Sequence, residues 1–189
     1  MRITGGLARG IPLALPKCDA FRPATYALRQ AVFSSLAARV AGARFLDLYA
    51  GRGAYGLEAL SRGAAGGVFV EKNARTADFI RQNITAVCKS LGRLPDNLQV
   101  VTADATHVMP GGAPDLVFID PPYEIIPEVA PKLFGRLDEL LRGKPEALVV
   151  FEMPGEVALA PPGWTCLKQL GKGARQPTVR IFRASPASP

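Results

Sequence analysis

The sequence predicts an α/β fold: a Rossmann-like, mainly parallel sheet covered by helices, with an antiparallel hairpin at one edge. Three observations predict it. From Arg44 onward, short apolar runs alternate with stretches of helical periodicity, the pattern of strands joined by crossover helices. A G-x-G-x-x-G stretch, Gly51-Arg52-Gly53-Ala54-Tyr55-Gly56, directly follows the first apolar run. Two β segments close the chain with no helix between them.

The elements follow in order. Arg2 to Leu15 contains short β-like pieces around Gly5-Gly6 and Gly10, read as a small hairpin standing apart from the main body, with an extension over 1–20. Thr25 is placed to cap a helix in which Leu28, Val32, Leu36 and Val40 form one apolar face. Phe45-Leu46-Asp47-Leu48 is the first strand, and Leu57 to Arg62 is helical. Val68-Phe69-Val70 is the second strand, and Ala77, Ile80, Ile84, Val87 and Leu91 mark the next helix. Leu98 to Val101 is the third strand. Leu116-Val117-Phe118-Ile119 is the fourth, continuously apolar as a strand buried on both faces should be. Val129, Leu133, Leu137 and Leu140 fit a helix, and Leu148-Val149-Val150-Phe151 is the fifth strand. After Pro161-Pro162-Gly163 come the closing β segments, near Trp164 to Leu170 and Val179 to Phe182. The main domain is expected over 21–184, and 185–189 reads as a disordered tail.

Composition narrows the function. The 189 residues suit one domain, and 48% of them are hydrophobic, enough for a substantial core. No apolar run approaches the ~18 residues that cross a bilayer, and the first residues lack a signal-peptide core, so a cytoplasmic protein without a membrane partner is expected. Cys18, Cys88 and Cys166 lie far apart and form no metal or disulfide pattern. His107 is the single histidine, which disfavours imidazole-dependent catalysis and leaves no metal site expected. His107 itself reads as a surface or packing residue. The net charge of +7 favours an anionic partner.

The glycine stretch predicts a nucleotide-type cofactor. Glycine lets the backbone turn sharply and lets a ligand approach closely. Asp47 precedes the loop, and Glu71 ends the second strand 24 residues later, where an acid can accept from ribose hydroxyls. Asp104 follows the third strand, within reach of an adenine amine. A nicotinamide cofactor is the rival reading, but dinucleotide loops usually carry an apolar residue where Asp47 stands.

Asp120-Pro121-Pro122-Tyr123 follows the fourth strand and therefore shares the loop's edge of the sheet. This pattern suits methylation of an exocyclic amine on a nucleobase. Such an amine is a poor nucleophile because its lone pair is delocalised into the ring. Asp120 and the Pro121 carbonyl can each accept one amine proton and turn that lone pair toward an incoming methyl group. The prolines fix φ and remove competing N–H donors, and Tyr123 can stack on an extruded base. Alignment supplies the catalysis, with a sulfonium methyl donor and no metal.

Arg2, Arg9, Lys17, Arg22 and Arg29 crowd the first thirty residues, where acids are scarce, and read as phosphate contacts to RNA. Lys168, Lys172, Arg175 and Arg180 form a second, later basic group.

Together these residues resemble the RsmD-type bacterial methyltransferases, which modify the N2 amine of a guanine in 16S small-subunit rRNA. The likeness covers nearly the whole chain. It runs from Met1-Arg2-Ile3-Thr4-Gly5-Gly6 and Arg9-Gly10, through Arg22-Pro23-Ala24-Thr25 and Arg29-Gln30-Ala31-Val32-Phe33, to the dense block between Asp47 and Ala64, then Val70-Glu71-Lys72-Asn73 and the tetrapeptide. The resemblance implies a seven-stranded class I methyltransferase fold using S-adenosyl-L-methionine. Asp47, Tyr49, Gly51, Gly53, Glu71, Lys72, Asp104 and Ala105 would then hold the cofactor. Asp120, Pro121, Pro122 and Tyr123 would form the reaction centre, and Arg22 and Thr25 would lie near the RNA-binding pocket. It further implies action on 16S rRNA in an assembling small subunit, by a monomer. Two positions depart from the family: Arg52 replaces a usual serine, and Asn73 replaces a usual acid. The alternatives are a DNA adenine or cytosine amino-methyltransferase, for which too little chain remains to read sequence, and a non-catalytic RNA-binding assembly factor. A nicotinamide dehydrogenase would lack a proton shuttle other than His107.

Overall fold

The computed structural model describes residues 1–14, 23–108, 112–173 and 175–186, without the side chains of 23–25. The first apolar run forms β1 (Arg44–Leu48), and alternation continues through α2 (Ala54–Ser61), β2 (Gly66–Glu71), α3 (Ala74–Leu91) and β3 (Leu98–Thr102). Preceding them is α1 (Pro23–Val40), and following them are β4 (Leu116–Ile119), α4 (Ile126–Leu140), β5 (Leu148–Pro154), β6 (Trp164–Leu170) and β7 (Pro177–Ala184). Among the described residues these strands make one sheet in the order β3-β2-β1-β4-β5-β7-β6. The first five are mutually parallel, and β7 lies antiparallel to both β5 and β6. The expected edge hairpin is present, with β7 on its inner side.

The sheet is apolar on both faces, and period two sorts its side chains between two cores. Phe45, Phe69 and Phe118 face α1, α2 and α3. Leu46, Leu48, Val117 and Ile119 face α4, with Trp164 and Phe182 closing that core. β4 is buried at all four residues, which explains its unbroken apolar run. Leu28, Val32, Leu36 and Val40 are the buried stripe of α1, as their spacing predicts. That helix begins at Pro23, ahead of Thr25; proline's fixed φ suits a first helical turn. Asn73 caps α3 by accepting from the Thr76 amide at 3.0 Å, and Gly92 ends the helix at φ 62. Asn73 thus has a local duty as the cap of this helix.

The N-terminal segment differs from the expectation of a hairpin standing apart. Its two arms do pair antiparallel, through the Arg2–Pro12 bridge, the Ile3 amide to the Ile11 carbonyl at 3.0 Å and the Leu13 amide to the Met1 carbonyl at 2.9 Å, but the hairpin packs directly on the body. Ile3, Ala8 and Leu13 are buried in the same core as α1 and α2. Thr4 donates its amide and hydroxyl to Glu58 on α2, at 2.7 and 2.6 Å. The Ser61 hydroxyl accepts the Ala8 amide at 2.9 Å. Gly6 is required here: its φ is +77, and a Cβ would lie 2.0 Å from the Ser61 carbonyl oxygen. Cys88 is buried and Cys166 exposed, both as free thiols, while Cys18 lies outside the described residues. Among the described residues no helix is long and apolar enough to cross a membrane.

Candidate active site

The carboxyl ends of β1, β2, β4 and β5 open onto one cavity of about 550 Å³, the crevice position expected for a ligand in a sheet of this type. The glycine loop forms one wall. Tyr49, Gly51 and Gly53 have φ of 57°, 56° and 78°, so the chain reverses within five residues. Gly51 faces the cavity, where a Cβ would meet no protein atom nearer than 4.0 Å. The other two glycines serve packing instead. A Cβ on Gly53 would meet Leu57 at 3.2 Å, and one on Gly56 would sit 2.4 Å from Phe69 and 2.6 Å from Phe45. Gly53 is thus a turn and packing residue, not a wall of the cavity.

Asp47 also bonds within the protein. It is buried beneath the loop and does not line the cavity. Its carboxylate accepts the Gly56 amide at 2.9 Å, one of the orphan donors in the first turn of α2. Gly53 has no side chain to cap that helix, and Asp47 performs the task from the neighbouring strand. Burial raises the Asp47 carboxyl from 3.8 to about 8; the Gly56 bond opposes this and nearby Glu71 adds to it. The folded protein therefore keeps a proton that the unfolded chain releases near 3.8. Stability is fully present below that value and falls as pH rises toward about 8. Asp47→Asn should remove this slope, which urea titrations of both proteins at pH 5 and pH 8 would reveal; equal slopes would refute the assignment.

Glu71 and Lys72 line the cavity at the end of β2. Glu71 accepts the amides of Gly51 at 2.9 Å and Asn73 at 2.8 Å, which fixes its carboxylate against the loop. Ala105 is on the wall, with Ala103, but Asp104 between them is not. Asp104 accepts the Thr106 hydroxyl and amide at 2.6 and 2.8 Å; these bonds hold its carboxyl below the usual range. Tyr49 lines the cavity, and its buried hydroxyl has no hydrogen-bond partner among the described residues. Burial pushes that phenol up to about 12, with Asp104 and Glu128 contributing.

Asp120, Pro121, Pro122 and Tyr123 line the same cavity. Pro122 leads into a 3-10 turn, Tyr123–Ile125, that runs straight into α4 and anchors the tetrapeptide. Both motifs thus line one space.

The structure also brings in residues that the sequence reading missed. Glu152 lines the cavity and is 4% exposed. The Tyr55 hydroxyl donates to its Oε2 at 2.6 Å. Glu152 ends an apolar run at the level of the motif residues, and that position was the available signal. Arg52, the departure in the loop, is on the wall as well.

The expected RNA contacts divide. Arg2 and Arg9 are exposed. Lys17 and Arg22 lie outside the described residues, as does the Thr25 side chain. Arg29 is 2% exposed and lines the cavity. Its guanidinium lies 3.5 Å from Glu58 and donates to the Arg2 carbonyl at 2.8 Å. A cation so enclosed serves the packing of the N-terminal segment.

The chain is similar to several known proteins. The family model described as "Conserved hypothetical protein 95" matches residues 1–181. "Ribosomal RNA small subunit methyltransferase D" of Haemophilus influenzae is 30% identical over 179 residues, covering 92% of this chain and 89% of that protein. Its namesake in Escherichia coli (strain K12) is 36% identical over 125 residues, 65% of this chain. That match spans 60% of the Escherichia coli protein's length. The solved structure titled "Putative methyltransferase yhhF from Escherichia coli" superposes with a TM-score of 0.77 at 27% identity, covering 98% of both chains. The fold is that of the class I methyltransferases, and the chain belongs to the Conserved hypothetical protein 95 family, the RsmD-type family that its motifs resemble.

Proposed function

We propose that this chain transfers a methyl group from S-adenosyl-L-methionine to the exocyclic N2 amine of a guanine in small-subunit rRNA. One observation carries the reading: the glycine loop with Glu71 and the Asp120-Pro121-Pro122-Tyr123 tetrapeptide line a single cavity. The names of the relatives, ribosomal RNA small subunit methyltransferases, support rRNA as the substrate.

The wall suits the cofactor. Gly51 leaves its backbone open for close approach, and Ala103 and Ala105 offer small apolar surface. Glu71, Lys72 and Tyr49 add polar groups to hold it. When bound, the cofactor supplies an activated methyl group on a sulfonium. Asp120 and the Pro121 carbonyl accept the two protons of the target amine and orient its lone pair. Asp120 then receives the proton that methylation expels. Tyr123 stacks on the extruded base, a contact worth about 1–3 kcal/mol per base in comparable sites. Exposed Arg2 and Arg9 supply phosphate contacts, so binding should weaken steeply with salt.

The test offers labelled cofactor with small-subunit particles lacking the modification, free rRNA, or duplex DNA. Label at a guanine N2 from particles or rRNA is the expected result. Label in DNA would overturn the substrate, and cofactor binding without any transfer would point to a non-catalytic RNA-binding role.

A further inference from the structure

We infer that Glu152 accepts the N1–H of the target guanine beside Asp120 and thereby sets the choice of base. The inference rests on the guanine-N2 reading and deepens it.

The placement follows from the sheet. β4 and β5 are parallel, with Ile119 level with Phe151, so the next residue of each, Asp120 and Glu152, are neighbours. Residues level across a parallel pair point to the same face. Two positions earlier, Phe118 and Val150 both face the core that includes Tyr55, so Asp120 and Glu152 face that side too. Tyr55 ties the corner together. Its ring stacks on Phe118 with centroids 5.3 Å apart, and its hydroxyl holds Glu152 Oε2 at 2.6 Å. Both acids act on the Tyr55 phenol, which burial pushes well above its ordinary range. Two carboxyl groups thus line one cavity, each near enough to Tyr55 to act on its phenol.

That arrangement selects among bases. Guanine presents N1–H and the N2 amine as adjacent donors. Adenine and cytosine each place a ring-nitrogen acceptor beside the exocyclic amine. Paired acceptors on the protein match guanine and set lone pair against lone pair with the other two. A carboxylate has about four acceptor sites, so one carboxylate can accept from several donors at once. The bond from Tyr55 also fixes the carboxylate's direction, making Tyr55 a positioning residue. A site built for a specific N–H rejects the analogue lacking it far more strongly than an apolar pocket rejects a misfit.

The experiment uses the full chain and an RNA segment containing the mapped target guanine. In a second RNA that nucleotide is 2-aminopurine, which keeps the N2 amine but carries an acceptor at N1. Wild type should prefer guanine by about 100-fold in kcat/KM. Glu152→Gln, nearly isosteric and still able to accept from Tyr55, should lower transfer to guanine and compress the preference about tenfold. Tyr55→Phe should compress it in the same direction and serves if the first variant folds poorly. A residue that merely supports the fold would depress both substrates equally. A preference unchanged within about twofold in both variants, with guanine still methylated by wild type, would overturn the role of Glu152 alone. Absence of guanine methylation by wild type would overturn the base assignment, and the role of Glu152 with it.

Discussion

Asp120→Ala is expected to lower kcat for methyl transfer by about 100- to 1000-fold, the scale of removing one aligned polar group from a preorganised site. The loss should fall on kcat, because the aspartate acts on the amine as its lone pair turns toward the methyl group. Cofactor affinity should stay within about threefold, since the groups proposed to hold the cofactor are on the loop and the end of β2. Single-turnover transfer and equilibrium cofactor binding, measured on the same preparation, separate these effects. Full activity in the variant would remove Asp120 from the mechanism. Lost cofactor binding would assign it a structural duty instead.

Glu58→Ala should destabilise the fold by about 3–5 kcal/mol, the range for breaking a buried ion pair from one side. Glu58 is fully buried and gathers Thr4, Arg29 and Arg62 around one carboxylate. Its removal would leave the Arg29 guanidinium enclosed with no carboxylate beside it and strand the Thr4 amide. For a chain of this size that corresponds to a fall in Tm of about 10 °C. Glu128→Ala is the control: its pair with Lys132 is exposed, and such pairs contribute at most about 1 kcal/mol. If both variants melt alike, the N-terminal segment is not held through Glu58.

The strands and helices were readable because their signal is local. The apolar run Leu116 to Ile119 and the stripe of Leu28, Val32, Leu36 and Val40 each carry their period in adjacent residues. The start of α2 was placed too late, at Leu57, because the helix begins at Ala54 with its Gly56 amide satisfied from another strand by Asp47. The roles of Asp47, Arg29 and Glu152 were harder for the same reason. Arg29 looks like a phosphate ligand until Glu58, on another helix, is seen beside it. Glu152 looks like the end of a strand until Tyr55 reaches it from the glycine loop's helix, 97 residues earlier in the chain. The motif residues were found by position at strand ends, and that rule brought Tyr49, Gly51, Glu71 and the tetrapeptide to one cavity. It cannot tell which acid faces the cavity and which lies beneath the loop.

The order of the last two strands bears on how the molecule is made. β7, which follows β6 in the chain, lies between it and β5. Until β7 has left the ribosome, β6 has no neighbour and the hydrogen-bonding edge of β5 stays open. Translation stalled near Pro177 would therefore release a chain with an apolar, unpaired edge on Val149 to Met153, the kind of surface that captures other nascent chains. Completion of the eight-residue strand β7 covers that edge of β5 and leaves β6 as the outer strand.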